Sequence, residues 1–311
     1  MSVRKRDYLT VDALSIPELF KTLDLADEFK AERARGPAIR DDLAGRTIGM
    51  ILEKPSTRTR VSFEVAIHEL GGHTVVLHVD DLQLGRGETV EDTARVLSCY
   101  LHALVVRTFA QSRLEALATA GTIPVINALS DFSHPCQALA DLQTIREYKG
   151  TLAGLKLAYL GDGNNVAHSL LQAGAMAGMH VAVGSPPGYG PIPQVVEATR
   201  RIATQTGGSV AVTADPLAAA RDADVVYTDV WASMGQEAQH AARALMFGPF
   251  QVGYHVMEAA RPDAIVMHCL PAHRDEEIAA EVIDGQQSVV WTQAENRLHT
   301  QKALLVLLLG T

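Results

Sequence analysis

Pro55-Ser56-Thr57-Arg58-Thr59-Arg60 gathers hydroxyls and guanidinium groups within one turn of chain. The apolar run Thr47 to Leu52 before it has the character of a buried strand, and Phe63, Ala66, Ile67 and Leu70 after it recur at helical spacing until Gly71-Gly72. The hydroxyls therefore fall where a strand turns into a helix. Main-chain N–H groups and the positive helix end favour an anion at such a place. Arg58 and Arg60 can add two-pronged, charge-assisted hydrogen bonds to phosphate or carboxylate. The competing reading is structural: Ser56 or Thr57 caps the helix and both arginines are solvated.

Other polar residues occupy similar places. Leu104-Val105-Val106 ends at Arg107, and the strand from Pro124 to Asn127 leads through Ser130-Asp131-Phe132-Ser133 to His134-Pro135-Cys136-Gln137. Further along, Leu155 to Leu160 enters Gly161-Asp162-Gly163-Asn164-Asn165. Val225 to Thr228 leads to Asp229 and Ser233-Met234-Gly235, and Ile265 to Met267 leads to His268-Cys269-Leu270-Pro271. The first group is cationic and suits an oxyanion. The second is neutral to acidic and offers Asp229 to an ammonium group. An anion rim and an amino-acid rim together imply group transfer.

Two other chemistries compete. Gly161-x-Gly163 after a strand invites a dinucleotide, but Val166 takes the third glycine position and no acid follows the next strand for a ribose. His268, Cys269 and His273 invite zinc, yet no second cysteine pair accompanies them and Pro271 breaks the spacing. No metal and no cofactor are expected.

The elements that must position these groups alternate between strand and helix along the whole chain. Such alternation predicts an α/β protein with two doubly wound parallel-sheet domains, in which ligands bind outside the carboxyl ends of the strands. The boundary is expected at Lys149-Gly150, giving domains over 1–149 and 150–294. The segment 295–311, apolar nearly all round at its end, is expected as a buried helix crossing back to the first domain. Ser15-Ile16-Pro17-Glu18 reads as a capping box, and Thr89 with Asp92 as another helix start. A length of 311 residues and 47% hydrophobic composition allow two cores, and a formal charge of −9 argues against nucleic acid or an anionic membrane as partner. Cys99, Cys136 and Cys269 do not read as a disulfide framework, no apolar run is long enough to span a bilayer, and no secretory signal is evident, so a cytoplasmic protein is expected.

With these motifs in order, the chain resembles the aspartate/ornithine carbamoyltransferase family over nearly its whole length. The resemblance rests on Ser56-Thr57-Arg58-Thr59-Arg60, His134-Pro135-Cys136-Gln137 and His268-Cys269-Leu270-Pro271. Asp229-Val230-Trp231-Ala232-Ser233-Met234-Gly235 and Gln83-Leu84-Gly85-x-x-Glu88 look like the ornithine branch. The resemblance implies transfer of a carbamoyl group from carbamoyl phosphate to the side-chain amine of L-ornithine, giving L-citrulline and phosphate. It implies that Ser56, Thr57, Arg58 and Thr59 hold the phosphate and that Arg107 bridges phosphate and carbonyl oxygen. His134, Gln137 and Arg297 would meet the carbamoyl group, and Cys269 and Leu270 would line the point of attack. Asn165, Asp229, Ser233 and Met234 would hold ornithine. The family is usually homotrimeric, with the Gln83 loop reaching a neighbour's site. Putrescine, N-acetylornithine or aspartate as acceptor, a dinucleotide oxidoreductase and a catalytically silent relative remain the alternatives.

Overall fold

The computed structural model describes residues 5–36, 39–78, 82–83, 87–231 and 240–310. The chain divides into two compact units, one formed by residues 1–140 and 296–311, the other by residues 141–295.

The first unit is built on a parallel sheet of β1 (Thr47–Leu52), β2 (His73–His78), β3 (Ala103–Arg107) and β4 (Val125–Leu129), in the order β2-β1-β3-β4. The middles of β1 and β4 and all of β3 are buried, as expected of parallel strands covered on both faces. Helices α1 (Ile16–Ala34), α2 (Thr57–Glu69), α3 (Val90–Tyr100) and α4 (Gln111–Ala120) belong to this unit. α1 begins at the capping box, where Glu18 accepts the Ser15 N–H at 2.9 Å, and it buries Leu19, Leu23, Ala26 and Phe29. Thr89 accepts the Asp92 N–H at 3.1 Å and so starts α3.

The second unit has a parallel sheet of β5 (Lys156–Leu160), β6 (His180–Gly184), β7 (Ser209–Thr213), β8 (Val225–Thr228) and β9 (Ile265–His268), in the order β7-β6-β5-β8-β9. Its helices include α6 (Asn165–Met176), α7 (Pro193–Thr206), α8 (Pro216–Ala220), α9 (His240–Phe247), α10 (Tyr254–Ala259) and α11 (Ala280–Ile283). Helix α5 (Pro135–Lys149) passes from the first unit into the second, and α12 (Val290–Leu309) passes from the second into the first.

α12 begins five residues before the expected Glu295. Its opening turns lack an apolar stripe because Gln293, Asn296, Arg297, His299, Thr300, Gln301 and Lys302 are buried polar residues. The apolar end, with Ala303, Leu304, Leu305 and Leu308, is buried as its composition predicts. Among the described residues no helix is long and apolar enough to cross a membrane.

Strand order reverses once in each sheet, between β1 and β3 in the first unit and between β5 and β8 in the second. Connections diverge at such a point and leave a crevice at the strands' carboxyl ends. Leu52 lies beside Arg107 in one register, and Leu160 beside Thr228 in the other. The residues that follow these pairs are the candidate chemistry.

Candidate active site

In the first unit, β1 opens into α2 through Ser56. The Ser56 hydroxyl oxygen accepts the Thr59 N–H at 3.2 Å, so it caps the helix while its own proton stays available to an anion. Capping and anion binding are therefore compatible roles of one residue. The register slips by one residue after Val106, so Arg107 pairs with Leu129 and emerges beside the end of β1. His134 is delivered by a tight loop in which the Ser130 hydroxyl oxygen accepts the Ser133 N–H at 3.1 Å. The His134 carbonyl accepts the Gln137 N–H at 3.1 Å and starts α5.

Arg297, buried on α12, donates to Gln137 Oε1 at 2.8 Å and to Thr59 Oγ1 at 3.0 Å. It thereby joins α2, α5 and α12 within this unit. His134 is buried, and burial first, then Arg297, Arg107 and Arg58, pushes its pKa well below the ordinary histidine value. The imidazole is thus neutral at neutral pH and serves as a hydrogen-bonding group. Arg60 turns away from this cluster to pair with Glu64 at 2.8 Å in an exposed i,i+4 contact, so the expectation that it adds a prong to the anion site is corrected. Lys54, which sequence reasoning passed over, is buried at the end of β1 with its ammonium 3.9 Å from the Phe109 ring centre. Burial, then Arg107, lowers its pKa. Its signal was position alone, a cation immediately before Pro55-Ser56.

In the second unit, Asp229 follows β8 and is buried. Its Oδ1 accepts the Cys269 thiol at 3.0 Å, and its Oδ2 accepts the Asn164 amide at 3.2 Å. Asn164 Oδ1 accepts the N–H groups of Val166 and Ala167 at 2.9 and 3.2 Å, capping α6. That cap occupies the helix start which a dinucleotide would need. A Cβ on Gly163 would lie 2.1 Å from Pro191 N, so this glycine serves a close chain crossing. Asn165 opens α6 directly after the cap.

The Leu270 N–H donates to His268 Nδ1 at 2.8 Å, which places the ring proton on Nε2, 3.1 Å from Glu277 Oε1. Leu270 itself sits at φ +59°, a left-handed conformation uncommon for a branched residue and held here by that bond. Burial alone would raise the Glu277 pKa, but hydrogen bonds from His268 and the His273 N–H outweigh it and hold the carboxyl low. Asp229, His268 and Cys269 bring one ligand-type atom each within 4.8 Å of one another. Both His268 ring nitrogens are already engaged, which removes it as a metal ligand in this arrangement.

The structure thus places Ser56, Thr57, Arg58, Thr59, Arg107, His134, Gln137 and Arg297 in the first unit, and Asn165, Asp229, Cys269 and Leu270 in the second. Gln83 is exposed, with its carbonyl accepting the Glu88 N–H at 3.2 Å. Ser233 and Met234 lie outside the described residues.

Residues 6–147 match the family model of the aspartate/ornithine carbamoyltransferase carbamoyl-P binding domain, and residues 153–308 that of the Asp/Orn binding domain. An ornithine carbamoyltransferase from Parafrankia is 62% identical over 98% of this chain and 96% of its own. The anabolic ornithine carbamoyltransferase of Pyrococcus furiosus is 53% identical over 100% of this chain and 98% of its own. A solved ornithine carbamoyltransferase structure from Pyrococcus furiosus superposes with a TM-score of 0.94 at 52% identity, covering 99% of this chain and 98% of that one. One from Thermus thermophilus gives 0.88 at 42% identity, covering 98% and 99%. The chain belongs to the aspartate/ornithine carbamoyltransferase family.

Proposed function

We infer that this chain is an ornithine carbamoyltransferase, which moves the carbamoyl group of carbamoyl phosphate onto the side-chain amine of L-ornithine to give L-citrulline and phosphate. The observation that favours ornithine over N-acetylornithine and aspartate is Asp229, a buried carboxylate with no cation paired to it among the described residues. Such a group calls for a positive partner, and the α-ammonium of ornithine supplies one. N-acetylornithine lacks that ammonium, and aspartate would bring another carboxylate.

The first domain, residues 1–149 with the helix 295–311, binds carbamoyl phosphate, and residues 150–294 bind ornithine. Ser56, Thr57, Arg58 and Thr59 grip the phosphate. Arg107 bridges phosphate and carbonyl oxygen, and His134, Gln137 and Arg297 orient the carbamoyl end. Attack builds negative charge on the carbonyl oxygen, where Arg107, Thr59 and the neutral His134 ring are the donors. Asn165, Asp229, Ser233 and Met234 hold the amino-acid end of ornithine, while Cys269 and Leu270 line the path of the amine. That amine attacks uncharged, and the departing phosphate takes up its proton. The enzyme works in the cytoplasm as a homotrimer, Gln83 reaches a neighbouring site, and its product feeds arginine biosynthesis.

Supplying carbamoyl phosphate with ornithine, putrescine, N-acetylornithine or aspartate in parallel tests the assignment. Citrulline and phosphate in equal amounts from ornithine are expected. Turnover with a different amine and none with ornithine would move the assignment to that acceptor.

A further inference from the structure

β9 is the edge strand of its sheet, so its outer side needs partners other than a neighbouring strand. Val266 finds them in the loop before α12: its N–H donates to Gln287 O at 2.8 Å and its carbonyl accepts the Val289 N–H at 3.0 Å. Two residues on, the His268 N–H points the same way and meets a side chain, Gln293 Oε1, at 2.9 Å. Gln293 is 1% exposed. Its Nε2 donates to Asp141 Oδ1 at 2.8 Å and to the Tyr227 hydroxyl at 3.0 Å. The amide has one orientation that satisfies all three contacts, oxygen toward β9 and nitrogen toward α5 and β8.

His268 is thereby pinned twice, at its main chain by Gln293 and at its ring by Leu270 and Glu277. The next residue is Cys269, whose thiol lies 3.0 Å from Asp229. The spacing also repeats a motif. Gln293 precedes Arg297 by one helical turn of α12, and Asp141 follows Gln137 by one turn of α5. The pair Gln293–Asp141 thus extends, within the second unit, the pairing that Arg297 and Gln137 make in the first.

We propose that Gln293 is a positioning residue for carbamoyl transfer: it completes the outer edge of β9 at His268 and so sets the Cys269 thiol and the Leu270 main chain against Asp229. The residue touches no reacting atom. Its effect on rate rests on the carbamoyltransferase reading, whereas its effect on Cys269 does not.

The test compares Gln293→Leu with the parent, both in a Cys99→Ser background so that the exposed thiol does not react. Citrulline formation, inorganic phosphate affinity, thermal midpoint and the rate of Cys269 alkylation are measured. The expected result is a fall in kcat of about ten- to hundred-fold, an unchanged phosphate Kd, and a Cys269 alkylation rate altered by more than about three-fold. The exchange Gln293→Glu with Asp141→Asn still accepts the His268 N–H and reverses the other two bonds, the new amide at position 141 and the Tyr227 hydroxyl donating to the carboxylate, and is expected to restore both kcat and alkylation toward the parent. Should Gln293→Leu fail to fold, Gln293→Asn, one methylene too short to reach His268, takes its place in the same assays. A folded Leu or Asn variant with kcat and alkylation both within about two-fold of the parent overturns the proposal. So does an exchange variant that folds but stays as slow as the single one. A parent that makes no citrulline sinks the functional reading instead, and the alkylation comparison still decides the positioning role.

Discussion

The reaction asks two things of individual side chains, stabilisation of charge on the carbonyl oxygen and capture of a cationic acceptor. In the proposed reading Arg107 answers the first, so Arg107→Ala should lower kcat by about 10²–10³ with the fold intact. A variant within about tenfold of the parent would remove the residue from that role. In the same reading Asp229 answers the second. Asp229→Asn should raise KM for ornithine by about 30- to 1000-fold, since it strips a buried charge from its partner, while phosphate affinity holds. Steady-state kinetics with each substrate varied in turn separates the two effects. His134 contributes a pH dependence of stability. Its pKa is pushed well below the ordinary value, so the native state stays neutral where the unfolded chain takes a proton. Stability is therefore complete above the unfolded pKa of about 6.5 and falls as pH drops from there toward the folded pKa, by at most about 1.4 kcal/mol per pH unit. Thermal midpoints of His134→Gln should be flatter than the parent's below pH 6.5. Parallel curves would mean that other groups set the acid limit.

At the scale of elements, the candidate residues of the second unit depend on how two strand ends are tied down. Arg243 on α9 donates to Asp162 Oδ2 and to the Trp231 carbonyl, both at 2.6 Å, with Tyr189 and Phe247 rings against its guanidinium. The first contact reaches the turn after β5 that carries Asn164, and the second reaches the chain just past Asp229. Arg243→Lys keeps one charge but not the fork, so KM for ornithine should rise while phosphate affinity stays put. An equal loss of both affinities would point to general destabilisation. Much of this arrangement was legible from sequence. Strand ends delivered Ser56, Arg107, His134, Asp229 and Cys269, because a buried parallel strand writes a continuous apolar run whose end is easy to see. Polar residues with several partners were less legible. Asn164 reads as an ordinary rim amide until its cap and its bond to Asp229 are seen together. Arg60 sits in the same motif as Arg58 and goes elsewhere because Glu64 lies one turn away. α4, with only Leu114 and Leu117 buried, carries too thin an apolar stripe to be recognised, and the start of α12 is hidden by its buried polar face.

At the scale of the whole molecule, the strand order explains why the candidate residues cluster where they do within each unit. The strand order reverses once in each all-parallel sheet, and Ser56 and Arg107 in one unit, Asn165 and Asp229 in the other, follow the strands on either side of that reversal. Chain order alone does not disclose this, since β1 and β3 are separated by β2 in sequence, and β5 and β8 by β6 and β7. Assembly adds a further level. Gln83 is exposed on its own chain, and a homotrimer in which it serves a neighbour makes a specific prediction. Arg107→Ala and Gln83→Ala chains, each impaired alone, are unfolded together and refolded as a mixture. A mixed trimer then contains sites with an intact Arg107 from one chain and an intact Gln83 from the next. Random association of equal amounts should return about a quarter of the parental activity, provided that each defect alone is severe. Activity no greater than the sum of the separate variants, in a mixture shown by native mass spectrometry to contain hybrids, would place Gln83 and Arg107 in the service of the same chain. It would leave the catalytic roles of the two units standing and remove the neighbour's contribution.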